Sequence, residues 1–165
     1  MLPPMKSILV TVLLFALGAG ALVFLKQRRD TGRATATAEA AAALAAERIS
    51  RFGDEALDPA IEWRETGLGI KHTTLGEGAV VYPGVEVRFN YVGRLADGTV
   101  FDRSTKPLDG RIGQLVPGVS AGLQLVRIGG RATIYIPPRL GYGQARVGSL
   151  PENASLIFDV ELLPR

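Results

Sequence analysis

The segment Pro117–Pro138, P-G-V-S-A-G-L-Q-L-V-R-I-G-G-R-A-T-I-Y-I-P-P, changes its hydrophobic period half-way and so decides what kind of fold the chain can have. In the first half, Val119, Leu123 and Val126 recur at i, i+4 and i+7, which puts them on one face of a helix. Pro117 stands near the start, where a helix can spare an N–H, and Gly129 stands just past the end. In the second half, A-T-I-Y-I, the period falls to two, and Ala132, Ile134 and Ile136 line one side of a strand. Pro137 and Pro138 then end that strand, because proline cannot donate to a ladder.

The two-residue period returns on both sides of this segment. In V-E-V-R-F-N-Y, Val85, Val87, Phe89 and Tyr91 share a face, and Glu86, Arg88 and Asn90 share the other. In S-L-I-F-D-V-E-L, Leu156, Phe158, Val160 and Leu162 do the same. Asp97-Gly98 predicts a hairpin turn between Tyr91–Leu95 and Thr99–Phe101. These are half-buried antiparallel strands with one helix to cover their apolar side. With no crossover helices to support a parallel sheet, the fold class is α+β.

The N-terminal third is built differently. Ile8 to Leu25 is a run of 18 residues without a charge. At a rise of 1.5 Å per residue a helix there reaches about 27 Å, just enough for a bilayer core. It reads as an uncleaved anchor; the A-G-A of Ala19 to Ala21 leaves a cleavable signal peptide as the alternative. Residues 30–59 hold an alanine-rich stretch free of glycine and proline up to Gly53, predicted to be a helical spacer whose methyl-covered face has little to bury. Three regions are expected: 1–29 as signal anchor or signal peptide, 30–59 as helical linker, and 60–165 as the folded domain.

Composition excludes several kinds of chemistry. From Ala60 onward 12 Lys+Arg face 10 Asp+Glu with the signs mixed, which gives no field for nucleic acid. Cysteine is absent, so there is no thiol chemistry and no cysteine metal site. The single histidine, His72, has no second histidine for a metal and reads as a strand residue. No phosphate-binding loop occurs, and the G-x-S-x-G spelled by Gly118 to Gly122 lies inside the helical pattern rather than at a strand-to-helix turn, so it does not read as a nucleophile elbow. A catalyst built on this chain works without cofactor, metal or covalent intermediate.

Four blocks in order, V-R-F-N-Y-V-G-R-L-A-D-G-T-V-F-D, L-V-P-G-V-S-A-G-L, I-G-G-R-A-T-I-Y-I-P-P-R-L-G-Y-G and L-P-E-N-A-S-L-I-F-D-V-E-L-L, resemble the FKBP-type peptidyl-prolyl isomerases across Gly67 to Leu163. The resemblance implies a bent antiparallel sheet wrapped around one short helix, with a proline-binding pocket between them. It implies that Tyr91 and Phe158 are aromatic walls, that the substrate proline packs over Phe101, and that the Asp102 carboxylate meets polar groups at the rim. Leu115 and Val116 correspond to the pair whose backbone faces the ligand, Tyr142 to the flap tyrosine that donates to a carbonyl, and Leu150 to the apolar residue opposite it. Four features depart from the family: Val119 stands where a tryptophan usually forms the floor, Leu108 where phenylalanine is frequent, Gly110 at another commonly apolar position, and the flap reads S-L-P-E-N where P-P-N is common.

The implied reaction suits a chain without catalytic nucleophiles. Rotation about an X-Pro bond breaks no covalent bond; the barrier of about 18–20 kcal/mol is lost amide resonance. A dry aromatic pocket disfavours the planar, more polar imide relative to the twisted one, and a donor placed for the twisted carbonyl adds to that. Lowering the barrier by about 5–6 kcal/mol is worth roughly 10⁴ in rate. The expected partners are proline-containing polypeptide clients, macrolide inhibitors of the family, and a membrane through residues 8–25. A non-catalytic module that binds proline segments, or a chaperone, is the alternative. Lys26, Arg28, Arg29 and Arg33 after the apolar run favour a cytoplasmic domain, whereas the resemblance to exported forms favours the periplasm, which is the expectation adopted.

Overall fold

The structure, a computed structural model, describes residues 36–165. The apolar run 8–25 lies outside the described residues; among those described, no helix is long and apolar enough to cross a membrane. Residues 36–52 are helical (α1). One compact unit ends at Leu44, and a second runs from Ala45 to Arg165. The folded unit therefore takes in residues upstream of Ala60.

Within that second unit the strands are β1 (Glu62–Trp63), β2 (Gly69–Thr74), β3 (Glu86–Arg94), β4 (Val100–Arg103), β5 (Leu108–Arg111), β6 (Arg131–Ile136) and β7 (Leu156–Leu163), with α2 (Pro117–Leu123) before β6. They form one antiparallel sheet in the order β1-β2-β6-β7-β3-β4, and β5 also pairs with β3. Strand β3 is long enough to hold both β4, opposite Val92–Arg94, and β5, opposite Glu86–Phe89. The segment Ser104–Pro107 thus interrupts what is otherwise one edge of the sheet.

Paired residues in a ladder share a face, so the register sets the core. Ile134 faces Phe158, Ile136 faces Leu156, Phe89 faces Leu162 and Tyr91 faces Val160. Ile134, Ile136, Phe158, Leu156, Phe89, Leu162 and Val160 are all buried, as the sequence period predicts. Helix α2 lies directly on this face. A Cβ on Gly118 would sit 2.3 Å from Ile136 Cγ2, and one on Gly122 would sit 2.5 Å from Ile134 Cδ1. Glycine is a poor helix former, and here it is what allows the helix backbone to touch β6.

Two details differ from the sequence expectation. The helix stops at Leu123, because Leu125 N–H donates to Gly122 O at 2.9 Å and Val126 N–H to Leu123 O at 3.0 Å, tightening the chain into i→i+3 turns. Val126 reaches the core from that turn rather than from the helix. Val85 precedes β3, and its side chain is 41% exposed instead of sharing the buried face.

The largest difference lies on the outer face. Phe52, at the end of α1, is only 1% exposed and packs with Ile61, Tyr135 and Ile157 in a second, smaller cluster. Its ring meets Trp63 and Tyr135 at 5.6 Å each, and the Arg48 guanidinium lies 4.8 Å above Trp63. The helical segment expected to have little to bury thus ends in a buried aromatic anchor, and a 3-10 turn at Gly53–Leu57 carries the chain on to β1.

Candidate active site

Strands β3, β4 and β7 bring three aromatics together on the inner face. The Phe158 ring lies 5.8 Å from Tyr91 and 5.7 Å from Phe101, the latter nearly edge-to-face at 77°. Such offset and T-shaped contacts suit the ring quadrupole and fix orientation. Phe89, behind them, sits 5.8 Å from Tyr91.

Phe101 and Asp102 are adjacent in a strand, so simple alternation would send them to opposite faces. The register shows why it does not. Gly93 pairs with Asp102 and Arg94 with Val100, which leaves Phe101 as the extra residue of a β-bulge. The bulge turns both side chains to the same side: Phe101 onto Phe158, and Asp102 onto Tyr91, whose hydroxyl donates to Asp102 Oδ2 at 2.7 Å. Gly93 makes room for this, since a Cβ there would come within 2.7 Å of Phe101 Cζ.

The interruption after β4 is tied to the same strand. Ser104 N–H donates to Tyr91 O at 3.0 Å, and Tyr91 N–H donates to Ser104 Oγ at 2.9 Å. On the helix side, the buried Ser120 hydroxyl accepts from Gly113 N–H at 3.0 Å and donates to Leu115 O at 3.5 Å. This holds the turn that delivers Leu115 and Val116 to α2.

After β6, Pro137 and Pro138 lead into a 3-10 turn at Pro138–Leu140. Gly141 N–H and Gly143 N–H both return to Pro138 O, at 3.0 and 2.9 Å, which bends the chain around Tyr142. Asn153 N–H closes the base of the flap on Gly143 O at 2.7 Å, with Asn153 itself at φ 57°, a conformation asparagine tolerates better than most residues. Residues 144–149 are exposed, whereas Leu150 is buried.

Of the ten residues singled out from the sequence, nine belong to or touch the main core. Val119, Leu150 and Phe158 belong to the main core, and Tyr91, Phe101, Leu115, Val116 and Tyr142 pack against it half-buried. Asp102 joins through the Tyr91 hydroxyl. Leu108 stands apart: it pairs with Phe89 at the start of β5, but its side chain is 41% exposed. Opposite the nearby Gly110, Leu115 Cδ2 occupies the space, 2.9 Å from where a Cβ would be.

The two tyrosine hydroxyls are in different states. Burial and the donated bond to Asp102, with Tyr142 adding a smaller effect, push the Tyr91 hydroxyl up to about 12, so it keeps its proton and spends it on Asp102. The Tyr142 hydroxyl makes no hydrogen bond among the described residues and is available as a donor. Gly93, Ser104 and Phe89 support the site without having been foreseen. Gly93 left a sign in the sequence, a lone glycine inside a strand pattern, which marks a bulge or a close approach, and Phe89 shares the face of Tyr91 by alternation; Ser104 left none.

The fold defines the class: an α+β domain in which α2 lies on one face of an antiparallel sheet, with a cluster of aromatic rings on β3, β4 and β7. Residues 78–163 match the family described as FKBP-type peptidyl-prolyl cis-trans isomerase, and the chain belongs to that family. A probable FKBP-type peptidyl-prolyl cis-trans isomerase of Haemophilus influenzae is 38% identical over 133 residues, covering 78% of this chain and 55% of the relative. FkpA of Escherichia coli K12 is 38% identical over 111 residues, covering 66% of this chain and 41% of the relative. The chain spans about half the length of these curated relatives. The crystal structure of FkpA from Escherichia coli superposes with a TM-score of 0.67 at 28% identity, covering 99% of this chain and 83% of that one.

Proposed function

We propose that this chain is a peptidyl-prolyl cis-trans isomerase acting on proline-containing polypeptides, with Tyr91, Phe101, Asp102, Tyr142 and Phe158 as its catalytic site. Family membership and one observation support the reading: with the Tyr91 hydroxyl committed to Asp102, the flap hydroxyl of Tyr142 is the donor left to meet a substrate carbonyl. The proline ring packs over Phe101 against Phe158, whose edge-to-face contact holds the wall rigid. In that dry setting the twisted imide, stripped of resonance and less polar, is favoured over the planar one. Tyr142 adds a hydrogen bond that matches the rotated carbonyl.

Leu115, Val116, Val119 and Leu150 line the pocket in this reading, with Leu108 at its exposed rim, and macrolide ligands of the family compete for the same surface. The apolar run of residues 8–25 supports a membrane anchor, and the reading adopted puts the domain in the periplasm. Protease accessibility of the domain in intact cells and in spheroplasts tests that placement.

A protease-free isomerisation assay of the 165-residue chain on Leu-Pro and Phe-Pro peptides tests the activity. Acceleration of either peptide, lost by roughly tenfold or more in Phe101→Ala, is the expected result. Absence of acceleration on both leaves a proline-segment binding module in its place.

A further inference from the structure

On the outer face, directly behind the bulge, the Arg94 guanidinium joins three elements. Its Nη1 and Nη2 donate to Glu55 Oε1 and Oε2 at 2.8 and 2.9 Å, and its Nε donates to Asp159 Oδ2 at 3.3 Å. Glu55 Oε2 also accepts from the Tyr135 hydroxyl at 3.1 Å, and Asp159 Oδ1 accepts from Thr133 Oγ1 at 2.7 Å. One connected network therefore runs from the turn after α1 to β6, β7 and β3. The forked pair with Glu55 is its best-formed joint, since two parallel charge-assisted bonds fix the plane of both groups.

Arg94 occupies a particular place in the sheet. It pairs with Val100 on the far side of the bulge, and its neighbour Gly93 pairs with Asp102 and lies under the Phe101 ring. Wherever the Gly93–Arg94 backbone lies, Phe101 and Asp102 must follow, because the glycine leaves the ring no slack. Remove Glu55 and Arg94 keeps only the longer, single bond to Asp159.

We propose that Glu55 is a positioning residue for the substrate site: by holding Arg94 it sets the bulge that places Phe101 and Asp102, so the site senses whether the segment after α1 is docked on the sheet. The consequence for activity rests on the isomerase reading above; the structural coupling does not. Phe52 supplies the anchoring that keeps Glu55 in reach, and both lie on the face of the sheet opposite the aromatic cluster.

The test compares Glu55→Gln with Asp58→Asn in the 165-residue chain. Asp58 belongs to the same segment and pairs with Lys71 at 2.6 Å, away from Arg94, so it controls for loosening of the segment alone. Backbone amide resonances read the coupling without reference to activity. Glu55→Gln is expected to shift the amides of Val100 to Arg103 while those of Tyr142 and Leu150 stay in place, and Arg94→Lys is expected to reproduce the pattern. In the peptide assay, KM for the Leu-Pro substrate rises about threefold with kcat held within about twofold, the signature of lost binding shared equally by ground and transition states. Asp58→Asn leaves both readouts unchanged. Unmoved β4 amides in Glu55→Gln, or equal shifts in Asp58→Asn, overturn the proposal. Shifted amides in a chain that accelerates no peptide overturn the isomerase reading and leave the coupling standing.

Discussion

The two faces of the sheet are held by different means. On the inner face, aliphatic side chains at every second position meet a helix pressed so close that two of its residues have to be glycine. On the outer face, a small cluster of Phe52, Ile61, Tyr135 and Ile157 is surrounded by forked and single ion pairs: Arg94 with Glu55 and Asp159, Arg131 with Glu161, Lys71 with Asp58. The inner face supplies the core and the aromatic cluster of Tyr91, Phe101 and Phe158. The outer face supplies the attachment of the segment that precedes the domain. A sheet with one helix is thus covered on both sides, and the second cover is a piece of chain that looks like a linker.

Replacing the anchor separates the two faces most sharply. Phe52→Ala removes a fully buried ring from the small cluster and is expected to destabilise the domain by about 3–4 kcal/mol, read as a lower urea midpoint. An unchanged midpoint would mean that the outer cluster adds nothing to the fold. The corresponding change on the inner face adds volume rather than removing it. Gly122→Ala places a methyl into Ile134, and the overpacking costs about 1–3 kcal/mol, read in the same experiment. Stability equal to or above wild type would show that helix and strand have slack between them.

Smaller effects test the groups that do not pack. Tyr142→Phe deletes the free donor and is expected to cost about 1 kcal/mol in kcat/KM, roughly fivefold, without moving the urea midpoint. A loss in midpoint instead of rate would make the tyrosine a packing residue. The smallest effect concerns Glu55, whose carboxyl the hydrogen-bonded Arg94 guanidinium holds below its ordinary 4.5, against some desolvation. A depressed carboxylate contributes stability that is present above the unfolded value and is lost as pH falls through the folded one. The stability gap between wild type and Glu55→Gln is therefore full at neutral pH and closes below pH 4.5. A gap that persists in acid would show that the carboxylate charge is not what holds the turn.

The inner face was readable because its signal is local. Val87 and Phe89, Ile134 and Ile136, and Leu156 to Leu162 alternate, and alternation survives in any sheet that buries one side. The Asp97-Gly98 turn carries its own chemistry: Leu95 N–H donates to Thr99 O at 2.9 Å, and Gly98 takes φ 85°. Of the ten residues the resemblance pointed to, nine belong to the main core, pack against it or hydrogen-bond to a residue that does. Tyr135 and Ile157 escaped because they sit at outward positions, where the period predicts solvent, and are covered by a residue 83 positions upstream of one (135 − 52) and 105 of the other (157 − 52). The helix end escaped as well, because Val126 keeps helical spacing while the backbone has already tightened into a turn.

By itself the sequence determined the class of fold, the inner face of the sheet and the helix laid on that face, since each follows from spacing and residue type within a short window. Only the tertiary structure decided that Phe101 and Asp102 point the same way, that the Tyr91 hydroxyl is taken and the Tyr142 hydroxyl is free, and that the segment around Phe52 and Glu55 belongs to the domain. Those outcomes depend on a bulge in strand register and on contacts between residues far apart in the chain. No period in a single segment records which distant segment will lie against it.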